Sequence, residues 1–231
     1  MAPTHGGPVT FSLCAAGARV RFAGRFAGLS PDWRLTQTGT AVTKDQLRKQ
    51  LRAARRDQVK ALPQNMRGLV FHRPPAPMVD LIPENAVIGL YRAGPFEPST
   101  ASYAMFFAER GHDLALPRFA DRHAPMEFAR FTDPFEESDL EVGPFGMLQP
   151  SAKAPVAQPE VLIVPLIGFT PDLDRLGQGG GHYDRWLAER TNVTSIGLAW
   201  DCQLVSSLPT EAHDQRLTAV VTPTRIYGLA A

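Results

Sequence analysis

The stretch VPLIGFTPDLDRLGQGGGHYDRWLA, from Val164 to Ala188, decides the fold of this chain. An apolar run over Val161 to Phe169 predicts a buried strand, a turn leads to three consecutive glycines, and an amphipathic helix follows. Glycine has no Cβ, so residues 179–181 can adopt positive φ and turn successive N–H groups toward one point at the start of that helix. Such a loop suits a phosphate group, although a tight connection between strand and helix could contain the same glycines.

The residues beside the glycines favour a ligand site over a simple connection. Arg175 precedes the glycines, and His182, Tyr183 and Asp184 follow them directly. A connector has no need of a cation, an imidazole and a carboxylate around one loop. We therefore interpret this segment as part of a functional site.

Composition limits the class of protein. The chain has 231 residues, of which 44% are hydrophobic and 20% charged, and its formal net charge is +1. These values predict one globular domain and argue against nucleic acid as a partner. Cys14 and Cys202 have neither disulfide-framework nor metal-ligand spacing, so we expect a reducing compartment and no zinc site. The longest apolar run contains Pro165 and is too short to cross a bilayer, so we expect no membrane partner. We further expect a cytoplasmic monomer.

Residues 1–42 differ from the rest of the chain. They are rich in Gly, Ala, Thr and Arg, and Asp32 is their only acidic residue. Because they lack sustained periodicity, we interpret them as a disordered N-terminal extension of a single domain over residues 43–231. An organellar presequence would share this acid-poor composition, whereas the order of basic and apolar residues does not fit a signal peptide.

Helices and strands alternate along the remaining sequence. Thr43 and Gln46 form a capping-box pattern that predicts a helix through Ala61. Further helices are predicted within 64–71 and over 99–110 and 182–190, and strands over 87–91, 113–116, 161–165, 195–200 and 219–222. Pro117 should end the second strand, and residues 118–159 should be irregular apart from a short strand or two near 126–131. The alternation predicts an α/β fold, a three-layer sandwich with a mainly parallel central sheet.

Three cations recur along the first predicted helix. Lys44, Arg48 and Arg52 are spaced i, i+4 and i+8, so they share one helix face on which like charges repel. We name this face the basic stripe. It predicts either an anion bound there or a solvated basic surface.

Three carboxylates are the other candidate site residues. Asp184 and Asp214 could hold a divalent cation that escorts ATP phosphates, since such ions need only one or two protein carboxylates. Asp184 could instead stabilise the helix dipole, and Asp214 could instead form a turn. Glu97 follows a predicted strand on a Gly-Pro loop, a usual place for ligand contacts in α/β proteins, although an exposed loop glutamate would fit as well.

Beyond these features, residues 44–222 resemble the 5-formyltetrahydrofolate cyclo-ligases, also called methenyltetrahydrofolate synthetases. The family hallmark reads like VPGxAFDxxGxRLGYGGGYYDRYL, and the segment from Val164 to Ala188 is similar to it. The resemblance extends to KDQLRKQLR at 44–52, Tyr91 with Glu97, LPR at 116–118, MEF at 126–128, GPFGMLQP at 143–150, IGLAWDCQ at 196–203, and LPTEAHDQRL with VVT at 208–222.

The resemblance implies roles for matching positions. ATP would bind the basic stripe and the glycine loop, with Lys44 and Arg175 as catalytic residues. The implied ATP-binding residues are Lys44, Arg48, Arg52, Arg175, Leu176, Gly177, Gln178, Gly179, Gly180, Gly181, His182 and Tyr183. The folate would contact Arg92, Glu97, Gln178, Gly179, Gly180, Gly181 and His182. Asp184 and Asp214 would hold Mg²⁺.

The implied reaction is the ATP-dependent conversion of 5-formyltetrahydrofolate to 5,10-methenyltetrahydrofolate, with ADP and phosphate released. Phosphoryl transfer requires positioning and charge neutralisation, which cations and backbone amides can supply. A non-catalytic folate or nucleotide binder is the alternative, and retention of the stripe and both aspartates favours the enzyme. A sugar-phosphate isomerase or transferase would require a catalytic carboxylate that the sequence does not offer.

Three residues depart from the family pattern. Gln178 replaces an aromatic or basic residue, His182 replaces the first tyrosine of YYD, and Gln149 stands where glutamate is common. The role of the loop backbone rests on the glycines and is retained. His182 can still stack on a ring but can also protonate near neutral pH, so an altered substrate preference is one expectation.

Overall fold

The computed structural model describes residues 12–15, 18–21, 42–63, 66 and 69–229. The chain divides into two units, Met1–Ala41 and Val42–Ala231. In the first unit, strands β1 (Ser12–Ala15) and β2 (Ala18–Arg21) pair antiparallel. The rest of the disordered extension predicted for residues 1–42 lies outside the described residues, as does most of the helix predicted within 64–71. Both stay predictions.

The second unit contains four α-helices in its described part. They are α1 (Lys44–Ala61), α2 (Ala76–Val79), α3 (Ala101–Ala108) and α4 (His182–Ala188), and a 3-10 helix covers Asp201–Gln203. The capping box predicted for α1 is confirmed, because the Thr43 hydroxyl accepts from the Gln46 N–H and the Gln46 side chain accepts from the Thr43 N–H. Helices α3 and α4 are both shorter than predicted.

An eight-stranded sheet forms the centre of this unit. Its strands are β3 (Ile88–Gly89), β4 (Leu114–Arg118), β5 (Glu127–Phe131), β8 (Val156–Ala157), β9 (Val161–Pro165), β12 (Thr194–Leu198), β13 (Ala219–Val221) and β14 (Ile226–Tyr227). Their spatial order is β14-β13-β12-β9-β3-β4-β5-β8. The five central strands from β13 to β4 are parallel, and the outer strands are antiparallel. The predicted α/β sandwich with a mainly parallel sheet is therefore confirmed.

Two small hairpins accompany the main sheet. One joins β6 (Leu140–Val142) to β7 (Leu148–Pro150), and the other joins β10 (Gly168–Phe169) to β11 (Arg175–Leu176). The short strand predicted near 126–131 is confirmed by β5, but the prediction for residues 118–159 missed the short strands β6, β7 and β8. The three missed strands have only two or three residues each, too few to show an alternating pattern in the sequence.

The prediction that Pro117 ends β4 was also wrong. Pro117 lies inside the strand and pairs with Phe128 of β5. The carbonyl of Ala115 accepts from Leu90, so the backbone of alternate residues in β4 faces β3. Strand β3 has ended by the level of Pro117, and the missing proline N–H therefore costs no hydrogen bond of the ladder.

Strand β9 lies at the centre of the core, where successive side chains enter opposite layers. Val161 and Ile163 pack with residues of α2 and α3, whereas Leu162 and Val164 pack on the side of α4. All four side chains are fully buried. This two-sided burial explains why the strand is an uninterrupted apolar run in the sequence.

The order of the strands places a crevice at the carboxyl ends of β3 and β9. These strands are neighbours, yet the chain leaves β3 through α3 toward β4 and leaves β9 through α4 toward β12, in opposite directions. Open α/β sheets bind ligands at such a switch point. The loop after β3 and the glycine loop both begin there.

Candidate active site

The positive φ predicted for the glycine loop is confirmed at two of its three glycines and is not adopted by Gly180. Gly179 and Gly181 have φ of 112° and 64°, in the left-handed region that favours glycine. Gly181 is also the N-cap of α4, and it offers no side-chain hydrogen bond to the first turn of that helix. The loop therefore leaves its N–H groups available to an external acceptor.

The basic stripe lies against this loop. Arg48 donates from Nε to the Gly177 carbonyl at 3.0 Å, and Arg52 donates from Nη2 to the Gln178 carbonyl at 3.1 Å. The close approach of α1 depends on Gly168, where an added Cβ would lie 2.5 Å from Leu51 Cδ1. The side chain of Arg48 is only 16% exposed and also pairs with Asp45, whereas Arg52 is exposed, so burial argues against a freely solvated face for Arg48 alone.

Lys44 occupies the first position of the stripe and reaches a second loop. Its Nζ lies 2.7 Å from Asp214 Oδ2 and 3.2 Å from Glu211 Oε1. Burial works against ionisation of both members of the Lys44 and Asp214 pair, but their mutual hydrogen bond raises the pKa of Lys44 and lowers the pKa of Asp214. The lysine is therefore held as a cation at the edge of a cleft.

This cleft has a volume of about 200 Å³ and is lined by charged groups. Arg175, Glu211, Asp214 and Gln215 form part of its wall. Arg175 is almost fully buried, and its Nη2 pairs with Asp184 Oδ1 at 2.5 Å. The Arg175 Nε is buried without a hydrogen-bond partner among the described residues.

The two predicted metal ligands lie close to each other, and Asp214 is part of the wall of this cleft. The N–H of Gln215, next to Asp214 in the chain, donates to Asp184 Oδ1 at 3.4 Å. Both hydrogen bonds that Asp184 accepts in the described part fall on Oδ1, and those of Asp214 fall on Oδ2. One oxygen of each carboxylate thus remains for a hard cation.

The donor set fits Mg²⁺ better than a cation that needs a complete protein cage. Over residues 42–63, 66 and 69–229, no group of three or more His, Cys, Asp or Glu side chains is placed to hold a metal. Mg²⁺ commonly takes one or two carboxylates and leaves its other positions to water and phosphate oxygens. Asp184 and Asp214 satisfy that requirement.

Glu97 lies at the other end of the stripe. Its Oε1 accepts from Arg55 Nη1 at 3.3 Å and from Gln178 Nε2 at 2.7 Å, and its Oε2 accepts from the Gly94 N–H at 2.8 Å. Arg55 is a buried site residue that the sequence analysis missed. It follows Arg52 by three positions, so extending the helical spacing of the stripe by one turn would have found it.

Arg92 does not contact the Glu97 carboxylate. It pairs instead with Glu137 and lines a separate cavity of about 140 Å³ beside the N-terminus of α3. The structure therefore places Arg92 and Glu97, two residues predicted to contact one ligand, in different surroundings.

Two phenylalanine rings lie beside His182. The imidazole is 4.9 Å from the ring centre of Phe119 and 6.2 Å from that of Phe145, with edge-to-face geometry. Burial, with Arg185 adding to it, lowers the pKa of His182 and favours the neutral ring. Gln149 holds Phe119 in place, donating to its carbonyl at 3.0 Å and accepting from its N–H at 3.1 Å.

Cys202 follows β12 near the same end of the sheet. Burial, with a smaller effect from Asp201, raises the pKa of its thiol to about 11. At pH 8 we expect alkylation of Cys202 by iodoacetamide to be roughly 100-fold slower in the folded protein than in the unfolded chain. Peptide mass spectrometry would measure both rates, and similar rates would contradict the expectation.

The fold and the site together define an α/β protein with a charged cleft whose wall includes Arg175 and Asp214. A sequence profile of the 5-formyltetrahydrofolate cyclo-ligase family matches residues 40–223. The chain belongs to this family.

In the described residues, no helix combines the length and apolar character needed to span a membrane.

Individual relatives agree with this assignment. The 5-formyltetrahydrofolate cyclo-ligase of Escherichia coli K12 is 45% identical over 75 residues, which cover 32% of this chain and 41% of the relative. A probable 5-formyltetrahydrofolate cyclo-ligase of Schizosaccharomyces pombe is 26% identical over 136 residues, 51% of this chain and 65% of the relative. The matched regions thus span less than two thirds of either relative.

Two solved structures have the same fold. The 5,10-methenyltetrahydrofolate synthetase of Aquifex aeolicus superposes with a TM-score of 0.63 and 24% identity, covering 80% of this chain and 91% of that one. The corresponding Mycoplasma pneumoniae synthetase gives a TM-score of 0.57 and 20% identity, with coverage of 77% and 96%.

Proposed function

We propose that this protein is an ATP-dependent ligase that converts 5-formyltetrahydrofolate to 5,10-methenyltetrahydrofolate, with ATP and Mg²⁺ as co-substrate and cofactor. The observation that carries the proposal is the contact between the basic stripe and the glycine loop. Arg52 and Gln178, which form part of this contact, are 126 positions apart in the sequence. This contact brings the positive charge of the stripe next to the N–H donors of the loop. A cytoplasmic location, a monomeric state and a single catalytic domain over residues 43–231 belong to the same proposal.

The cations of the cleft account for the first step. The formyl oxygen attacks the γ-phosphorus of ATP and ADP leaves, so negative charge spreads over the transferring phosphoryl oxygens. Lys44 pairs with Asp214 and Arg175 pairs with Asp184, so both cations lie beside the carboxylates proposed to hold Mg²⁺ and can help to neutralise that charge. Bound Mg²⁺, held by the two aspartates, would supply further charge neutralisation at the phosphates.

The second step closes the new ring. N10 of the folate attacks the activated formyl carbon, its proton passes to solvent, and phosphate leaves. Glu97 can accept N–H donors of a pterin ring, and the residues around His182 offer aromatic edges to the ligand. No protein nucleophile is needed in either step.

A folate or nucleotide binder without turnover is the second candidate. The departures at Gln178 and His182 are the observations that favour it, since both residues lie in the loop that would meet the substrates. Incubation with 5-formyltetrahydrofolate, ATP and Mg²⁺, with methenyltetrahydrofolate absorbance recorded, decides between the two. Absence of product at high protein concentration would refute the ligase.

Lys44 provides a sharper test of the cleft. We expect Lys44→Ala to lower kcat/KM roughly tenfold or more, because the substitution removes a cation that stabilises the transferring phosphoryl group. Lys49→Ala is the matched control, since Lys49 lies exposed on the same helix outside the stripe. Steady-state rates that fall equally in both variants would contradict the assignment.

A further inference from the structure

The side chain of Gln178 joins the two halves of the site. Its Oε1 accepts from Arg52 Nη2 at 3.0 Å, and its Nε2 donates to Glu97 Oε1 at 2.7 Å. A guanidinium only donates and a carboxylate only accepts, so these two partners fix the orientation of the amide. A basic side chain, which only donates, could not serve both groups in this way.

Glu97 is fully engaged in this arrangement. Oε1 accepts from Arg55 and Gln178, and Oε2 accepts from the Gly94 N–H. A ring that presents two N–H donors to the carboxylate must displace one of them. Gln178 is the donor most easily displaced, because it is exposed whereas Arg55 is buried and Gly94 belongs to the same loop as Glu97.

Arg52 holds the side chain of Gln178 in its position on Glu97 by hydrogen bonding. Its Nη2 carries two hydrogens, and they go to the carbonyl and to the Oε1 of Gln178. A phosphate bound across the Nη1 and Nη2 edge of the guanidinium must take one of these hydrogens. Binding of phosphate at Arg52 therefore weakens the anchor that keeps Gln178 on Glu97.

We propose that Gln178 is a positioning residue that occupies Glu97 until a nucleotide engages Arg52, so that nucleotide binding strengthens folate binding. The inference rests on the proposed function of the site. It assigns to the departure at position 178 a coupling between the two substrates. The two ligands then bind with positive cooperativity, each raising the affinity for the other by the same factor.

Equilibrium binding to the full chain tests the coupling. Calorimetry gives the Kd for 5-formyltetrahydrofolate with and without Mg²⁺ and a non-hydrolysable ATP analogue, which prevents turnover. We expect the analogue to lower this Kd by about fivefold or more in the wild type. In Gln178→Met, which keeps the length of the side chain but not its hydrogen bonds, the analogue should change Kd by less than about twofold.

The ratio of the two Kd values separates coupling from a general effect on the site. Gln50→Ala, at an exposed position of α1, should keep the wild-type ratio. Retention of that ratio in Gln178→Met, or binding of both ligands to the wild type without coupling, would overturn the inference alone. Failure of the wild type to bind either ligand would overturn the proposed function together with it.

Discussion

Arg175→Met is expected to lower the free energy of unfolding by about 3–5 kcal/mol, the largest stability effect among the site variants. The Arg175 side chain is 3% exposed and pairs with Asp184, which is 16% exposed. Removal of the guanidinium leaves a largely buried carboxylate without its cation, and desolvation of that charge is then uncompensated. Urea unfolding followed by circular dichroism would measure the loss.

Two further variants show whether the loss comes from the buried ion pair. Adding Asp184→Asn to Arg175→Met should restore part of the stability, because the double variant no longer buries a lone charge. Arg216→Met removes an ion pair with Asp174 in which the arginine is 69% exposed, and should cost less than about 1 kcal/mol. Equal losses for Arg175→Met and Arg216→Met would show that burial of the pair has no special importance.

Asp184→Asn is expected to have the largest effect on activity, a fall in kcat of roughly 100-fold or more. An amide keeps the size of the side chain but loses the charge and lowers the affinity for a hard cation. The Mg²⁺ concentration required for half-maximal rate should rise as well. Rates measured across a Mg²⁺ titration would give both quantities.

The matched control for this variant is Asp172→Asn, at an exposed position before the glycine loop. It should keep the wild-type rate and Mg²⁺ requirement. Calorimetric titration of Mg²⁺ in the presence of the ATP analogue gives a readout that does not depend on turnover. An unchanged Mg²⁺ affinity in Asp184→Asn would rule out this residue as a ligand.

Local sequence signals predicted the elements whose structure depends on neighbouring residues. The capping box located the start of α1, and the apolar run located β9 at Val161–Pro165. The glycines at 179 and 181 predicted the positive φ values of the loop. In each of these cases the determining residues lie within a few positions of one another, so a single sequence contains the information.

Features that depend on distant pairing could not be predicted in the same way. Strand β8 exists because Ala157 pairs with Phe128 of β5. The contact of Lys44 with Asp214 joins residues 170 positions apart. Charge and spacing identified the participants, but only the fold could show that Lys44 faces Asp214 whereas Arg92 faces Glu137.

The contact between α1 and the glycine loop has a consequence for biosynthesis. Its partners come from the first helix of the domain and from a loop beyond residue 176, and the cleft is completed only by Asp214. A ribosome-bound chain that ends before this aspartate therefore lacks a wall of the proposed nucleotide cleft. Because a ligand that binds only the complete domain stabilises it by mass action, ATP should protect finished chains from proteolysis and leave incomplete ones unprotected.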